Sequence, residues 1–198
     1  MQYLDEILLH LDRSTVANDA PANFVVYKIF SDGVLAKTDF EKALFHLRAS
    51  ADKDYPFAQL ELAKLSNPNI SSIFEQMNII GKNEVVANKL VDRASDALGL
   101  LADGGDAYAM LVLGMLYSGG LYPLFDFNLA LRWLTKAYEN GIKSAPNYLV
   151  LLYYQKLIQL EGHDPAVYAQ HLAECRRWQI ILKHDGSSAF DSVLNSCD

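Results

Sequence analysis

Basic clusters are nearly absent from this sequence. Arg176-Arg177 is its one adjacent basic pair, it stands beside Glu174, and 17 Lys and Arg face 24 Asp and Glu for a formal net charge of −7. That balance argues against a nucleic-acid binder, which needs a basic stripe to displace counterions from phosphate. The Arg pair reads as a solvated face. An acidic surface suits a basic partner, and it also suits ordinary solubility.

Cysteine is scarce as well. Cys175 and Cys197 form no CxxC or other metal-ligand spacing, so reduced thiols in a cytoplasmic protein are the expectation. Apolar runs stop short of the roughly 18 residues needed to span a membrane, which predicts no membrane partner. The 6 prolines and 11 glycines are too few and too scattered for a disordered or collagen-like chain. What remains is a chain of 198 residues, 51% hydrophobic and 21% charged, long enough for one compact domain or one continuous repeat array.

Enzyme signatures are missing too. There is no G-x-S-x-G, H-E-x-x-H, Walker loop or dinucleotide fingerprint, so no catalytic residue, cofactor or metal is expected. His171 and Cys175 lie at i, i+4 on one predicted helix face, a spacing that suits two metal ligands or a base and its nucleophile. No third ligand or orienting carboxylate follows from the sequence, and both positions fit a buried stripe. Core packing is the preferred reading, with a hydrolase or metal-dependent enzyme as the distant alternative.

What is present is a helix–turn–helix unit from Asp106 to Gly141. Asp106 caps a helix with apolar positions at Leu111, Leu113, Gly114 and Tyr117, and Ser118-Gly119-Gly120 stops it. Asp126 caps a second helix whose buried stripe is Ala130, Trp133, Leu134 and Ala137, and Gly141 ends it. The small residues at the crossing let the two helices approach closely. Shifted by 87 residues, Asp19 to Asp54 overlies this unit without a gap. Asp19, Ala20, Ala22, Val25, Ser31, Gly33, Asp39, Phe40, Ala43, Leu44 and Leu47 then meet identical residues, mostly at caps, the turn and packing positions.

This unit resembles a Sel-one-like repeat (SLR), a relative of the tetratricopeptide repeat about 36 residues long. The pattern is met at Ala107, Ala109, Leu113, Gly114, Tyr117, Gly120, Asp126, Ala130, Trp133, Ala137 and Gly141. It departs at Tyr122 and Pro123, where the family usually has Gly-Val. In the first copy Tyr27 stands for the crossing Gly, and His46 for Trp. The disulfide-rich secreted members carry a cysteine pair in each repeat, which this chain lacks. The resemblance implies an all-α fold, a right-handed α-solenoid of about four antiparallel helix hairpins with terminal capping helices.

The expected organisation is one domain over residues 1–198: an N-terminal cap helix in 1–18, repeat 1 in 19–54, repeat 2 in 55–105 with an insertion at 66–82, repeat 3 in 106–141, repeat 4 in 142–184, and a C-terminal cap or tail in 185–198. Gln2 to Asp12 lacks the basic n-region of a signal peptide and reads as the cap. In the insertion, Ser66-Asn67-Pro68-Asn69 signals a turn, and Ile70, Ile73, Phe74, Met77, Ile79 and Ile80 are too apolar for a free linker. It reads as a packed helical turn, with a partner-binding excursion as the alternative. Asp164-Pro165 starts the last long helix.

In the SLR family, as the resemblance implies, the first helices of the repeats line the concave face. The unrestricted positions there are Tyr108, Met110, Val112 and Met115 in repeat 3, and Tyr148, Leu151 and Tyr154 in repeat 4. Repeat 2 offers Gln59, Glu61 and Lys64, a polar end. An aromatic and methionine stripe at helical spacing is also what a core looks like, so these residues are candidates for an interface and for burial. The expected function is a non-enzymatic protein- or peptide-binding module, a scaffold or regulatory adaptor, whose partner is another protein or an extended peptide, basic in part. A sharper alternative is a bacterial immunity protein that neutralises a cognate toxin, a role the resemblance also brings with it.

Overall fold

The computed structural model describes residues 19–70, 80–119 and 124–184, together with His10 and Cys197. The expected cap at Gln2 to Asp12, the core of the insertion at 71–79, the turn residues Gly120, Tyr122 and Pro123, and the tail other than Cys197 lie outside the described residues. Among the described residues eight helices are assigned bounds: α1 (Ala20–Asp32), α2 (Phe40–Ala51), α3 (Pro56–Ser66), α4 (Glu84–Asp103), α5 (Ala107–Tyr117), α6 (Phe127–Glu139), α7 (Ala145–Leu160) and α8 (Pro165–His184). Among the described residues the β structure is one isolated antiparallel bridge, Ser118 to Phe125, across the α5–α6 turn. The fold is all-α, as the resemblance implies. Contacts divide the chain into two compact units, residues 1–97 and 98–198.

The repeat is visible in how the helices begin. The amides of a first helical turn have no partner inside the helix, and a short acidic side chain can accept from them. Asp19 Oδ1 accepts from Ala22 N at 3.0 Å, and Asp39 Oδ1 from Lys42 N at 3.0 Å. Asp106 Oδ1 accepts from Ala109 N at 2.9 Å, and Asp126 Oδ1 from Leu129 N at 3.0 Å. The turns agree as well: Asp39 N donates to Phe30 O at 3.1 Å, and Asp126 N to Tyr117 O at 2.9 Å. Residues that match at an offset of 87 therefore make the same backbone contacts.

Within residues 98–198, α5 and α6 form the hairpin with small residues at the crossing. Ala109, Ala130, Ala137 and Ala145 are fully buried. A Cβ added to Gly114 would stand 2.5 Å from Leu134 Cγ and 3.0 Å from Leu134 N, so the glycine is what lets the two helices touch. Aromatic contacts tie the next hairpin on. Phe127 meets Tyr153 edge-on at 5.5 Å between ring centres, and Tyr138 meets Trp178 at 5.5 Å. The α7–α8 turn is built as the sequence predicts, with Asp164 Oδ1 accepting from Ala166 N at 2.8 Å and Pro165 opening the helix.

Within residues 1–97 the same hairpin geometry is reached with different chemistry. Tyr27, at the position of Gly114, is 3% exposed, and its hydroxyl donates to Glu61 Oε1 at 3.0 Å. His46, at the position of Trp133, is buried with Nδ1 bonded to Asn23 Oδ1 at 2.9 Å. Asn23 in turn donates from Nδ2 to Asp19 O at 2.8 Å. Burial, with the Glu61 carboxylate adding to it, holds the Tyr27 phenol far above its usual range. At the end of α3 the expected turn is found, where Asn69 N donates to Asn67 Oδ1 at 2.8 Å. On α4 the buried positions Ala87, Leu90, Val91, Ala94, Leu98 and Ala102 recur every three or four residues, the spacing of one helix face.

One expectation is corrected. Cys175 and Cys197 are joined in a disulfide across 22 residues, with Cα atoms 6.0 Å apart, rather than held as free thiols. The absence of a cysteine framework said nothing about one isolated pair, because a separation in sequence does not show which residues a tail returns to.

Two measurements test this packing. Gly114→Ala should lower the urea midpoint, since its methyl collides with Leu134 at a cost of about 1–3 kcal/mol. Gly99→Ala, in α4 with open space around its Cα, should raise the midpoint by about 0.5–1 kcal/mol of helix propensity. A common sign for the two would remove the close-approach argument. The second concerns pH: Tyr27 ionises more readily unfolded than folded, so its contribution is complete below its ordinary pKa of 10.0 and falls as pH rises beyond it. Wild type should lose stability above that point by up to about 1.4 kcal/mol per pH unit more steeply than Tyr27→Phe. Parallel stability–pH curves for the two proteins would refute it.

Candidate functional site

The sequence-predicted face resolves into exposed and buried residues once the helices are in place. On α5, Tyr108 is 56% exposed and Met115 37% exposed, with Val112 half-buried between them. Separations of four and three residues put the three on one helical face. On α7, Tyr148 and Leu151 are half-buried and Tyr154 is 38% exposed. Helical spacing groups these three too.

Two of the candidates are not on that face. Met110 is 5% exposed. It follows Tyr108 by two residues, about 200° around the helix, which turns it inward. Its sulfur accepts from Asn140 Nδ2 at 3.7 Å. Gln59 is wholly buried. Its Nε2 donates to Asp54 Oδ1 at 3.0 Å and to Ala51 O at 3.3 Å, which braces the α2–α3 turn. Asp54 takes a positive φ of 61° there, and Arg93 pairs with its Oδ1. A glutamine with a backbone partner waiting in the turn behaves as a core residue, and nothing in its spacing distinguishes it from a surface one. Glu61 is half-buried and already engaged, accepting from Tyr27 and pairing with Lys64 at 3.5 Å.

Ile158, missing from the sequence-derived face, is 56% exposed. It lies four residues after Tyr154, and extending the α7 periodicity by one turn would have found it. The Tyr and Met side chains of α5 and α7 offer large, adaptable apolar area with few rotatable bonds in the tyrosines, the chemistry of interface anchors. None of it performs acid–base work by itself. Burial, with the Glu174 carboxylate next, raises the pKa of Tyr153 beneath this face, while Arg177 opposes them. Its phenol therefore stays protonated.

His171 and Cys175 do not assemble the reactive pair that the alternative needs. Cys175 is fully buried and bonded to Cys197, so no thiolate is available as a ligand or nucleophile. His171 Nδ1 lies 2.9 Å from Val167 O, one turn back on α8, and its ring sits 5.8 Å from Phe127 and 6.1 Å from Tyr153. It is part of the aromatic contact between α6, α7 and α8. Among the described residues no three His, Cys, Asp or Glu side chains group to hold a metal ion. No described helix is long and apolar enough to cross a membrane.

No family model matches the sequence, and no curated protein sequence matches it. Solved structures do resemble the fold. One is c5321, a protective antigen present in uropathogenic Escherichia coli strains that displays an SLR fold. The match has a TM-score of 0.54 at 16% identity and covers 89% of this chain and 33% of that one. A Sel1 repeat protein from Oxalobacter formigenes matches with a TM-score of 0.48 at 22% identity, over 84% of this chain and 62% of its own. The chain thus spans about a third of the length of the first and under two thirds of the second. Helix order, aspartate caps, the glycine crossing and the likeness to c5321 agree: this chain is a helical-repeat protein with the fold of the SLR proteins.

Proposed function

We propose that this chain is a non-enzymatic protein- or peptide-binding module, and that the exposed faces of α5 and α7 are its binding surface. The observation that carries this reading is the row of exposed and half-buried Tyr108, Val112 and Met115 on α5, continued in kind by Tyr148, Leu151 and Tyr154 on α7. Isolated apolar residues on a surface need no explanation, but large aromatic and methionine side chains in helical register are what a partner's side chains pack against. Neither Tyr108 nor Tyr154 is needed to fill a core. Burying them costs little conformational entropy, and each brings a hydroxyl that can bond across the interface.

The formal charge of −7 favours a partner with basic residues, since complementary charge speeds encounter and fixes orientation. A scaffold or adaptor role needs no more than this. A toxin-neutralising role is the same chemistry with a toxin as the partner. The cytoplasmic expectation rested in part on reduced thiols, and the Cys175–Cys197 bond removes that part of its support.

The test is affinity capture from native lysate with wild type and with a Tyr108→Ala/Tyr148→Ala variant whose helicity and urea midpoint match wild type. A partner held by wild type should be lost by the variant, with at least a tenfold drop in affinity, as removal of two aromatic anchors implies. A partner that binds both proteins equally would move the binding surface away from α5 and α7.

A further inference from the structure

Where the end of α7 turns into α8, the structure has an open pocket of about 220 Å³. Its apolar lining is Leu157, Ile158 and Leu172, and Cys197 closes it through the disulfide to α8. Three residues with polar side chains also line it: Tyr154, Tyr168 and Glu161. Among the described residues, none of the three side chains makes a hydrogen bond or ion pair. Glu161 is an exposed residue in the turn after α7, where its backbone carbonyl takes a contact from His163 Nδ1 at 3.2 Å.

The volume lies below the roughly 300–1,000 Å³ that holds a drug-sized ligand, so the pocket suits one side chain rather than a cofactor. Its chemistry selects which. An aliphatic stem fits Leu157, Ile158 and Leu172, a planar cation is favoured against tyrosine rings, and a carboxylate answers its charge. A leucine would leave Glu161 facing apolar atoms, and an acidic side chain would meet like charge. Arg176 touches the wall, donating from Nε to Cys197 O at 3.0 Å, but does not line the pocket.

We propose that this pocket receives a single arginine side chain presented by a partner protein, its guanidinium between the two tyrosines and paired with Glu161. The proposal rests on the protein-binding reading for the origin of the arginine, and names the residue that the α7 end of the surface recognises. Guanidinium and carboxylate match as a bidentate pair, so recognition depends on the charge and on the fork shape together.

The experiment needs no identified partner. Acetyl-Gly-Arg-Gly-amide is titrated into the oxidised full chain, and shifts of the tyrosine ring resonances are followed by NMR. The neutral isostere acetyl-Gly-citrulline-Gly-amide serves as the control. Saturable shifts should centre on Tyr154 and Tyr168, with the citrulline peptide and the Glu161→Gln variant each weaker by about fivefold or more. Reduction of Cys175–Cys197 should also weaken binding, because Cys197 is a wall of the site. Equal binding of arginine and citrulline, equal binding by wild type and Glu161→Gln, or no shift at either tyrosine would overturn the proposal. Glu161 is exposed in a turn, and a matching urea midpoint for Glu161→Gln excludes misfolding as the cause. The two readings fail separately. A silent pocket with partner binding still lost in Tyr108→Ala/Tyr148→Ala leaves the α5–α7 surface standing. Peptide binding with partner capture unaffected by that variant leaves the pocket standing alone.

Discussion

Helices that bury one stripe each must lie close to one another, and closeness requires that something small stand at the crossing. In this chain that constraint is met at Gly114, where no Cβ fits against Leu134, and at the fully buried alanines around it. Dispersion attraction decays steeply with separation, so a gap of even half an ångström at the crossing forfeits a sizeable part of the contact energy along both helices. Once the α5–α6 crossing is close, Trp133 and Leu134 reach the interior and Ala137 can face the next hairpin. The aspartate caps act on the same problem from the helix ends. Each fixes where its helix starts, and so which residues face the crossing.

The first hairpin shows that the constraint concerns volume and satisfaction more than residue type. Tyr27 puts a large ring where α5 has no side chain, and the space is found because its hydroxyl leads out to Glu61 on α3. His46 gives up the indole's apolar area and takes a buried hydrogen bond to Asn23 instead. A buried polar pair contributes little net stability when it is satisfied and costs much when one member is removed. Residues 1–97 therefore tolerate a departure from the repeat pattern only because Asn23, Glu61 and Asp19 supply the partners.

Local features were legible in the sequence, and features that depend on distant backbone were not. Aspartate caps, the Asp164-Pro165 start, the Asn67 turn and the hairpin matched at an offset of 87 follow from rules that act within four residues or from a repeat of those rules. The exposed members of the α5 row were legible because the helix phase separates Tyr108, Val112 and Met115 from the buried Leu113 and Gly114. Met110 could have been assigned inward by the same phase, since 200° is nearly opposite. Gln59 could not, because its burial depends on Asp54 holding a left-handed conformation that the sequence does not announce. The disulfide was hidden for a related reason, as its two cysteines stand 22 residues apart and no local rule pairs them.

The Cys175–Cys197 bond has an energetic consequence for α8. α8 buries Cys175, Trp178 and Leu182, with Cys175 Sγ 3.7 Å from Val150 O on α7 and Trp178 edge-on to Tyr138 of α6. Closing a loop of 22 residues removes conformational freedom from the unfolded chain, a contribution of about 3 kcal/mol in the chain-entropy account. This is comparable to what burial of one or two large apolar side chains supplies. The bond thus adds to the stability of the α7–α8 hairpin. It also fixes Cys197 beside Leu157 and Leu172, so the covalent link between Cys197 and α8 shapes the pocket that all three line. The stability of this hairpin and the proposed recognition of arginine are therefore coupled through one bond, whereas the α5 row depends on helix phase and involves neither cysteine.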